Sequence, residues 1–291
     1  MIKQSYLLIF ILIVSLVFTG MKVTTPKTYS ESMIELLSDM NTYAKDYNPK
    51  FAMIANGGYN LYTSKAPTQK RMFKAVDGVL IEEAFSNGDK KTMQAALRQA
   101  IKHKKKAFTI EYKSFKSKKG IVSFKGKKKL NKIPKFRSKK VYDVTKLSDV
   151  KNFMIILDPD KYKSKKKYLK TLKNTDYDLI FVDLFYDGKM LTANDIYLLK
   201  FKRNGGRRLV CSYLSVGEAE DYRYYWKSKW NKKKPKWIVK ENKEWKGNYK
   251  VKYWDPKWQT IIYGYMNRIL KVGFDGVYLD VIDAYEYFEE R

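Results

Sequence analysis

Several apolar runs in this chain end on groups that can move protons or hold polar ligands. The run Val277–Val281, inside GFDGVYLDVIDAYEYFEE, carries Asp280 and then Asp283. A carboxylate at the end of an apolar strand is costly to bury, and such groups are usually kept for a purpose. FAMIANGG ends near Asn56, VDGVLIEEAF at Glu82 and Glu83, and KAFTIEY at Glu111 and Tyr112. YDLIFVDLFYDG carries Asp183, and RRLVCSYLSVGEAEDYRYYW carries Glu218 and Arg223. The chain has one histidine, His103, and one cysteine, Cys211. That excludes an internal disulfide and leaves too few parts for Ser-His-Asp triads, Cys-His dyads or Cys/His zinc sites. His103, in IKHKKKA, reads as a solvated residue at a helix end, and Cys211, in LVCSYL, as a small buried hydrophobe. Carboxylates, Tyr, Lys and Ser remain. The chemistry open to them is acid and base work by carboxylates from separate strands.

The elements that would hold these groups alternate. A helix over SMIELLSDMNTYAKDY, capped by Ser30 or Ser32, leads to the strand ending at Asn56. Strand, helix and strand then follow at βα spacing through residue 112. Further strands lie in KNFMIILDP (151–159) and in the Asp183, Glu218 and Asp280 segments, and the helix after Pro256 precedes the last. Seven strands are clear and an eighth falls between 121 and 144. Polar residues gather at the strand C-termini, which predicts an α/β fold, a (β/α)8 TIM barrel with its site at that end. Residues 31–291 read as one domain, of a size typical of a single barrel.

The chain has 24 Tyr and 6 Trp, and rings of this kind stack on sugars or fill cores. Tyr213, Tyr278 and Trp254 are the stacking candidates. The net charge of +30, mostly Lys, points to anionic partners or to a Lys-rich habit of the source. The densest stretch is 102–140, where 17 of 39 positions are Lys or Arg. It has no RNA-binding signature, so nucleic acid is not the expected partner; it reads either as a contact surface for an anionic envelope polymer or membrane surface, or as a solvated loop with one or two strands. Residues 1–21, with Lys3 before the apolar run Tyr6–Phe18, read as a signal peptide or signal anchor, and 22–30 as a linker. The body of the protein is expected outside the cytoplasm or at the cell surface.

YLSVGEAEDYRYYW, YWDPKWQ and GFDGVYLDVIDAYEYF together resemble the endo-α-1,4-polygalactosaminidase-like glycoside hydrolases, in the branch of predicted extracellular TIM-barrel glycosidases. The first half is similar to the same family out of order: residues 31–145 resemble its second half and 150–291 its first. The resemblance thus implies a circularly permuted barrel, with residue 291 near the helix starting at Ser30. It implies Asp280 as nucleophile or electrostatic stabiliser and Glu82 as general acid/base, with Glu83 open because successive strand residues face opposite ways. Asn56 and Glu111 match family positions and are assigned to substrate binding, with Asp283, Asp183, Glu218 and Arg223 around the same mouth. No metal or cofactor is required, and a monomer is expected. The implied activity is endo-acting hydrolysis of a polysaccharide. Because a +30 protein should repel a cationic polymer, a neutral or anionic glycan is expected. The competing reading is a non-catalytic protein that binds glycan or the anionic envelope on the same barrel.

Overall fold

The computed structural model describes residues 28–86 and 90–291. The N-terminal apolar run lies outside the described residues. Helix α1 (Tyr29–Tyr47) leads into β1 (Ala52–Asn56), the short helix α2 (Tyr59–Thr63) and α3 (Ala66–Ala75). Then come β2 (Gly78–Glu82), α4 (Lys90–Lys102), β3 (Lys106–Glu111) and β4 (Ile121–Lys125), which is the eighth strand left unplaced in the sequence. The second half runs β5 (Phe153–Ile156), α5 (Lys165–Lys173), β6 (Leu179–Val182), a hairpin of β7 (Phe185–Tyr186) and β8 (Lys189–Met190), α6 (Ala193–Leu199) and β9 (Leu209–Ser215). A small antiparallel sheet, β10 (Glu218–Glu220), β11 (Ile238–Glu241) and β12 (Asn248–Val251), precedes α7 (Pro256–Lys271), β13 (Gly276–Asp280) and α8 (Ala284–Glu289).

Eight strands form one parallel sheet in the order β4-β3-β2-β1-β13-β9-β6-β5. Successive strands are therefore neighbours around a nearly closed α/β barrel, as the sequence predicts. The seam lies between β4 and β5, which share no ladder. Phe124 and Phe153 meet across it with ring centroids 5.6 Å apart, and the Leu130 carbonyl accepts from Leu157 N at 3.0 Å and Asp158 N at 3.4 Å. Residues 102–140 do not form one patch: they include buried β3 and half-buried β4 as well as exposed lysines.

The cap of α1 differs from the expected Ser30 or Ser32. Thr28 Oγ1 accepts from Glu31 N at 3.1 Å, so the helix starts earlier, and Ser32 Oγ instead bonds back to the Thr28 carbonyl at 3.3 Å.

The two Asp-Gly strand entries use one device. Asp77 accepts from Met53 N (3.0 Å) and pairs with Lys45 (2.8 Å), while Asp275 accepts from Val210 N (2.9 Å) and pairs with Lys200 (2.6 Å). Each carboxylate thus satisfies a strand N–H of the neighbouring strand. The glycine after Asp275 is required by close approach, since a Cβ on Gly276 would lie 2.5 Å from the Ala52 carbonyl oxygen.

Aromatic side chains fill the barrel. Phe108, Phe153, Phe181, Tyr278 and Tyr213 form a chain of ring contacts with centroids 5.2–6.0 Å apart. Much of the aromatic excess is therefore packing.

Candidate active site

The strands β13, β1 and β2 are adjacent and put three polar side chains at one place. Ala55 pairs with Leu279, which sets Asn56 beside Asp280. The Asn56 amide nitrogen donates to Asp280 Oδ1 at 2.8 Å and to Glu82 Oε1 at 3.1 Å. Two bonds of those lengths from one nitrogen hold Asp280 Oδ1 and Glu82 Oε1 within 5.9 Å of each other. Only the NH2 end of the amide suits this position, because its oxygen would face two acceptors. Tyr112 donates its hydroxyl to Glu82 Oε2, Tyr278 donates to Oε1 at 3.4 Å, and Val281 N donates to Asp280 Oδ1 at 3.0 Å. Burial, then the charges of Glu82 and Asp283, push the Asp280 carboxyl up to about 7, against the opposing bonds from Asn56 and Val281 N.

The backbone turns sharply after both groups. Glu83 and Val281 have positive φ, 53° and 59°. This left-handed region is uncommon for Glu and a true outlier for β-branched Val. Such strain collects at functional sites and costs on the order of 1–3 kcal/mol per residue.

Around this floor opens a cleft of about 1170 Å³. Arg223 is buried in its wall, bonded to Asp183 at 2.7 Å and to Glu220 at 2.6 Å. Burial raises the Asp183 carboxyl against the pull of Arg223. Glu218 is buried as well. It accepts from Asn242 (2.9 Å) and Asn248 (3.4 Å) on the β11–β12 hairpin, and Lys250 lies 3.6 Å away. Twelve of the chain's 30 Asp and Glu line the cleft, against five Lys and Arg. The +30 net charge is therefore segregated: the cleft is acidic in a basic shell. This removes the basis for expecting repulsion of a cationic polymer, because a sum over the whole chain says nothing of the local field.

Nine of the residues singled out in the sequence line this cleft: Asn56, Glu82, Asp183, Tyr213, Glu218, Arg223, Tyr278, Asp280 and Asp283. Two do not. Glu111 is fully buried and accepts from Thr109 Oγ1 (2.6 Å), Ser86 Oγ (2.6 Å) and Phe85 N (3.1 Å), so it ties down the loop after β2. Trp254 packs on Tyr29 and Phe288, at 4.9 and 4.7 Å, away from the cleft. The stacking role also fails for Tyr213 and Tyr278, whose rings are buried in the barrel and present only their hydroxyls upward. Other residues lining the cleft were given no site role in the sequence, among them Tyr112, named only as a strand end, Glu220 and Trp245. Strand parity would have found Tyr112, since Phe108, Ile110 and Tyr112 share a face and Glu111 lies on the other. His103 stacks on Phe73 with centroids 4.3 Å apart, and Cys211 is buried.

An eight-stranded parallel barrel with an amide-bridged carboxylate pair at the C-terminal ends of its strands has the architecture of a TIM-barrel glycosidase. Residues 135–291 match the model of glycoside-hydrolase family GH114, and the chain belongs to that family. Uncharacterized proteins of Methanocaldococcus jannaschii, Deinococcus radiodurans and Thermotoga maritima are 44%, 38% and 46% identical to it over 124, 124 and 120 residues. Those matches cover 41%, 42% and 41% of this chain and 34%, 39% and 37% of the relatives, so the chain aligns with little more than a third of their length. Among solved structures, Aspergillus fumigatus Ega3 in complex with galactosamine is 21% identical, with a TM-score of 0.34 over 52% of this chain and 50% of that one. The glycoside hydrolase domain of PelA from Pseudomonas aeruginosa is 17% identical, with a TM-score of 0.32 over 46% and 45%.

Proposed function

We propose that the protein is an endo-acting glycoside hydrolase that cleaves a polysaccharide by a retaining, two-carboxylate mechanism. The observation that carries the reading is the Asn56 amide shared by Glu82 and Asp280. Retaining enzymes set their carboxyl groups about 5–5.5 Å apart and inverting ones roughly 6.5–9.5 Å, to admit a water. One oxygen of each carboxyl lies within 5.9 Å of the other, which is compatible with the retaining arrangement. Asp280 attacks the anomeric carbon while Glu82 protonates the departing oxygen. Glu82 then takes a proton from the water that releases the sugar from Asp280. Tyr112, Tyr278 and Asn56 hold Glu82 in place through this change of role.

The acidic cleft favours a polymer bearing free amino groups, whose ammonium charges it would attract. Incubation with partly deacetylated α-1,4-linked polygalactosamine should release reducing ends, and Glu82→Gln or Asp280→Asn should lower the rate about 100-fold or more. Wild-type rates in either variant would sink the assignment. Equal cleavage of a fully N-acetylated or anionic polymer would remove the substrate class while leaving the mechanism.

The family's order is also proposed to be permuted in this chain. The matched segment ends in α8, and Glu289 Oε1 accepts from Ser30 N at 2.9 Å, so α8 leads in space straight into α1. The β4–β5 connection, by contrast, carries no helix of four or more residues and crosses the open seam. Export is proposed from Lys3 and the apolar run Tyr6–Phe18. Cell fractionation with N-terminal sequencing tests it, and a cytoplasmic pool carrying the whole N-terminus would refute it.

A further inference from the structure

We infer that Trp245 is a sugar-stacking platform that holds a remote unit of the polysaccharide on the cleft wall. The inference rests on the reading of the cleft as a glycan site and adds a binding position to it. Trp226, Trp230, Trp237, Trp254 and Trp258 each pack against other aromatic rings. Trp245 differs: it is 60% exposed, lines the cleft, and its ring meets no other ring, cation or hydrogen-bond partner among the described residues. A bare indole costs hydrophobic free energy in water, and its flat apolar face with a polar edge suits the C–H face of a pyranose.

The hairpin beneath it is built to hold one position. Asn248 N donates to the Trp245 carbonyl at 3.0 Å, and Glu244 N to Asn242 Oδ1 at 3.0 Å. Gly247, at φ +88°, closes the turn, with its N–H on Glu241 Oε1 at 2.9 Å and its carbonyl accepting from Asp221 N at 2.9 Å. Glu218, buried, grips Asn242 and Asn248 from below. An exposed ring on a fixed turn gives up little conformational freedom on binding, which favours affinity. Tyr222 and Tyr224, 61% and 42% exposed, line the same cleft and extend its aromatic face. The cleft, at about 1170 Å³, is also larger than the roughly 300–1,000 Å³ of a small-molecule site, as a polymer segment requires.

Two measurements test this. In Glu82→Gln protein, partly deacetylated α-1,4-polygalactosamine should blue-shift the tryptophan emission, and Trp245→Ala added to that background should abolish the shift. In otherwise wild-type protein, the ratio of kcat/KM on the polymer to that on a trimer should fall roughly 3- to 10-fold in Trp245→Ala, through KM, and be largely kept in Trp245→Phe. A shift that survives Trp245→Ala, or a loss equal on polymer and trimer, overturns the platform and leaves the hydrolase reading intact. A shift that depends on Trp245, in a wild-type protein that cleaves neither substrate, overturns the hydrolase reading and leaves the platform. No shift with the polymer overturns the platform for this ligand class.

Discussion

Glu83 and Val281 share a left-handed backbone, φ 53° and 59°, each one residue beyond a cleft carboxylate. The two strands concerned, β2 and β13, flank β1. The turn ends each strand abruptly and leaves its last side chain, Glu82 or Asp280, pointing up into the cleft beside Asn56.

Of the two glutamates only Glu82 lines the cleft, and Glu83 bonds through its backbone. Its N–H bonds to the Ile110 carbonyl at 2.7 Å and its own carbonyl accepts from Ser86 N at 3.2 Å, and neither bond needs the side chain. Glu83→Gly should relieve the left-handed strain and raise stability by about 0.5–1 kcal/mol, a Tm gain of about 1–4 °C. Turnover should stay at the wild-type level. A loss of turnover like that of Glu82→Gln would reassign the acid/base to Glu83.

Asp280 makes the fold less stable once it is ionised. Its carboxyl is raised from the ordinary 3.8 to about 7, so between those values the folded protein binds more protons than the unfolded chain. Stability then falls as pH rises through that window, by up to about 4 kcal/mol. Asp280→Asn keeps an oxygen for Asn56 and Val281 N and removes the titration. Its Tm advantage over the wild type should be larger near about pH 8 than near about pH 5. Melting curves at the two pH values check this, and a gap independent of pH would show that Asp280 is not raised.

Which parts of this arrangement were legible follows from where each is encoded. The barrel was written locally, in apolar runs ended by polar groups, two of them (β2 and β13) entered by Asp-Gly, and those runs are β1, β2, β3, β5, β6, β9 and β13. Parity within a strand separates Glu82 and Tyr112 from Glu83 and Glu111, so that much of the floor lay in a period of two. Trp245 and Trp254 could not be ranked that way. Both sit in the irregular insertion, where only the fold of the β10–β12 sheet exposes one and buries the other against Tyr29. The acidity of the cleft was hidden for a similar reason. Its carboxylates come from loops far apart in sequence, and a net charge averages them with lysines on the other faces.

Asn56 lowers the proton affinity of Asp280. Its amide lowers the Asp280 carboxyl, so Asn56→Ala should raise it above about 7. The proposed route needs Asp280 ionised to attack, and the acid limb of the kcat/KM profile reports that ionisation. In the variant this limb should move to higher pH, while the maximal rate drops about tenfold or more because Glu82 and Asp280 lose their common anchor. A lower rate with the limb unmoved would make Asn56 a substrate contact only.

The contact between Ser30 and Glu289 predicts that the chain can be rejoined. A variant that links Arg291 to Thr28 through a short Gly/Ser segment, and begins instead between exposed Lys139 and Lys140, keeps all eight strands and every ladder. The new ends fall in a connection without a helix of four or more residues, while the Leu130 carbonyl that closes the seam to Leu157 and Asp158 remains on the chain. Barrels tolerate such changes because their ends meet and only the loop-closure entropy shifts. The rejoined protein should melt within a few degrees of the parent and retain its turnover. Loss of cooperative melting would mean that the covalent β4–β5 connection, rather than the packing of α8 on α1, holds the two halves together.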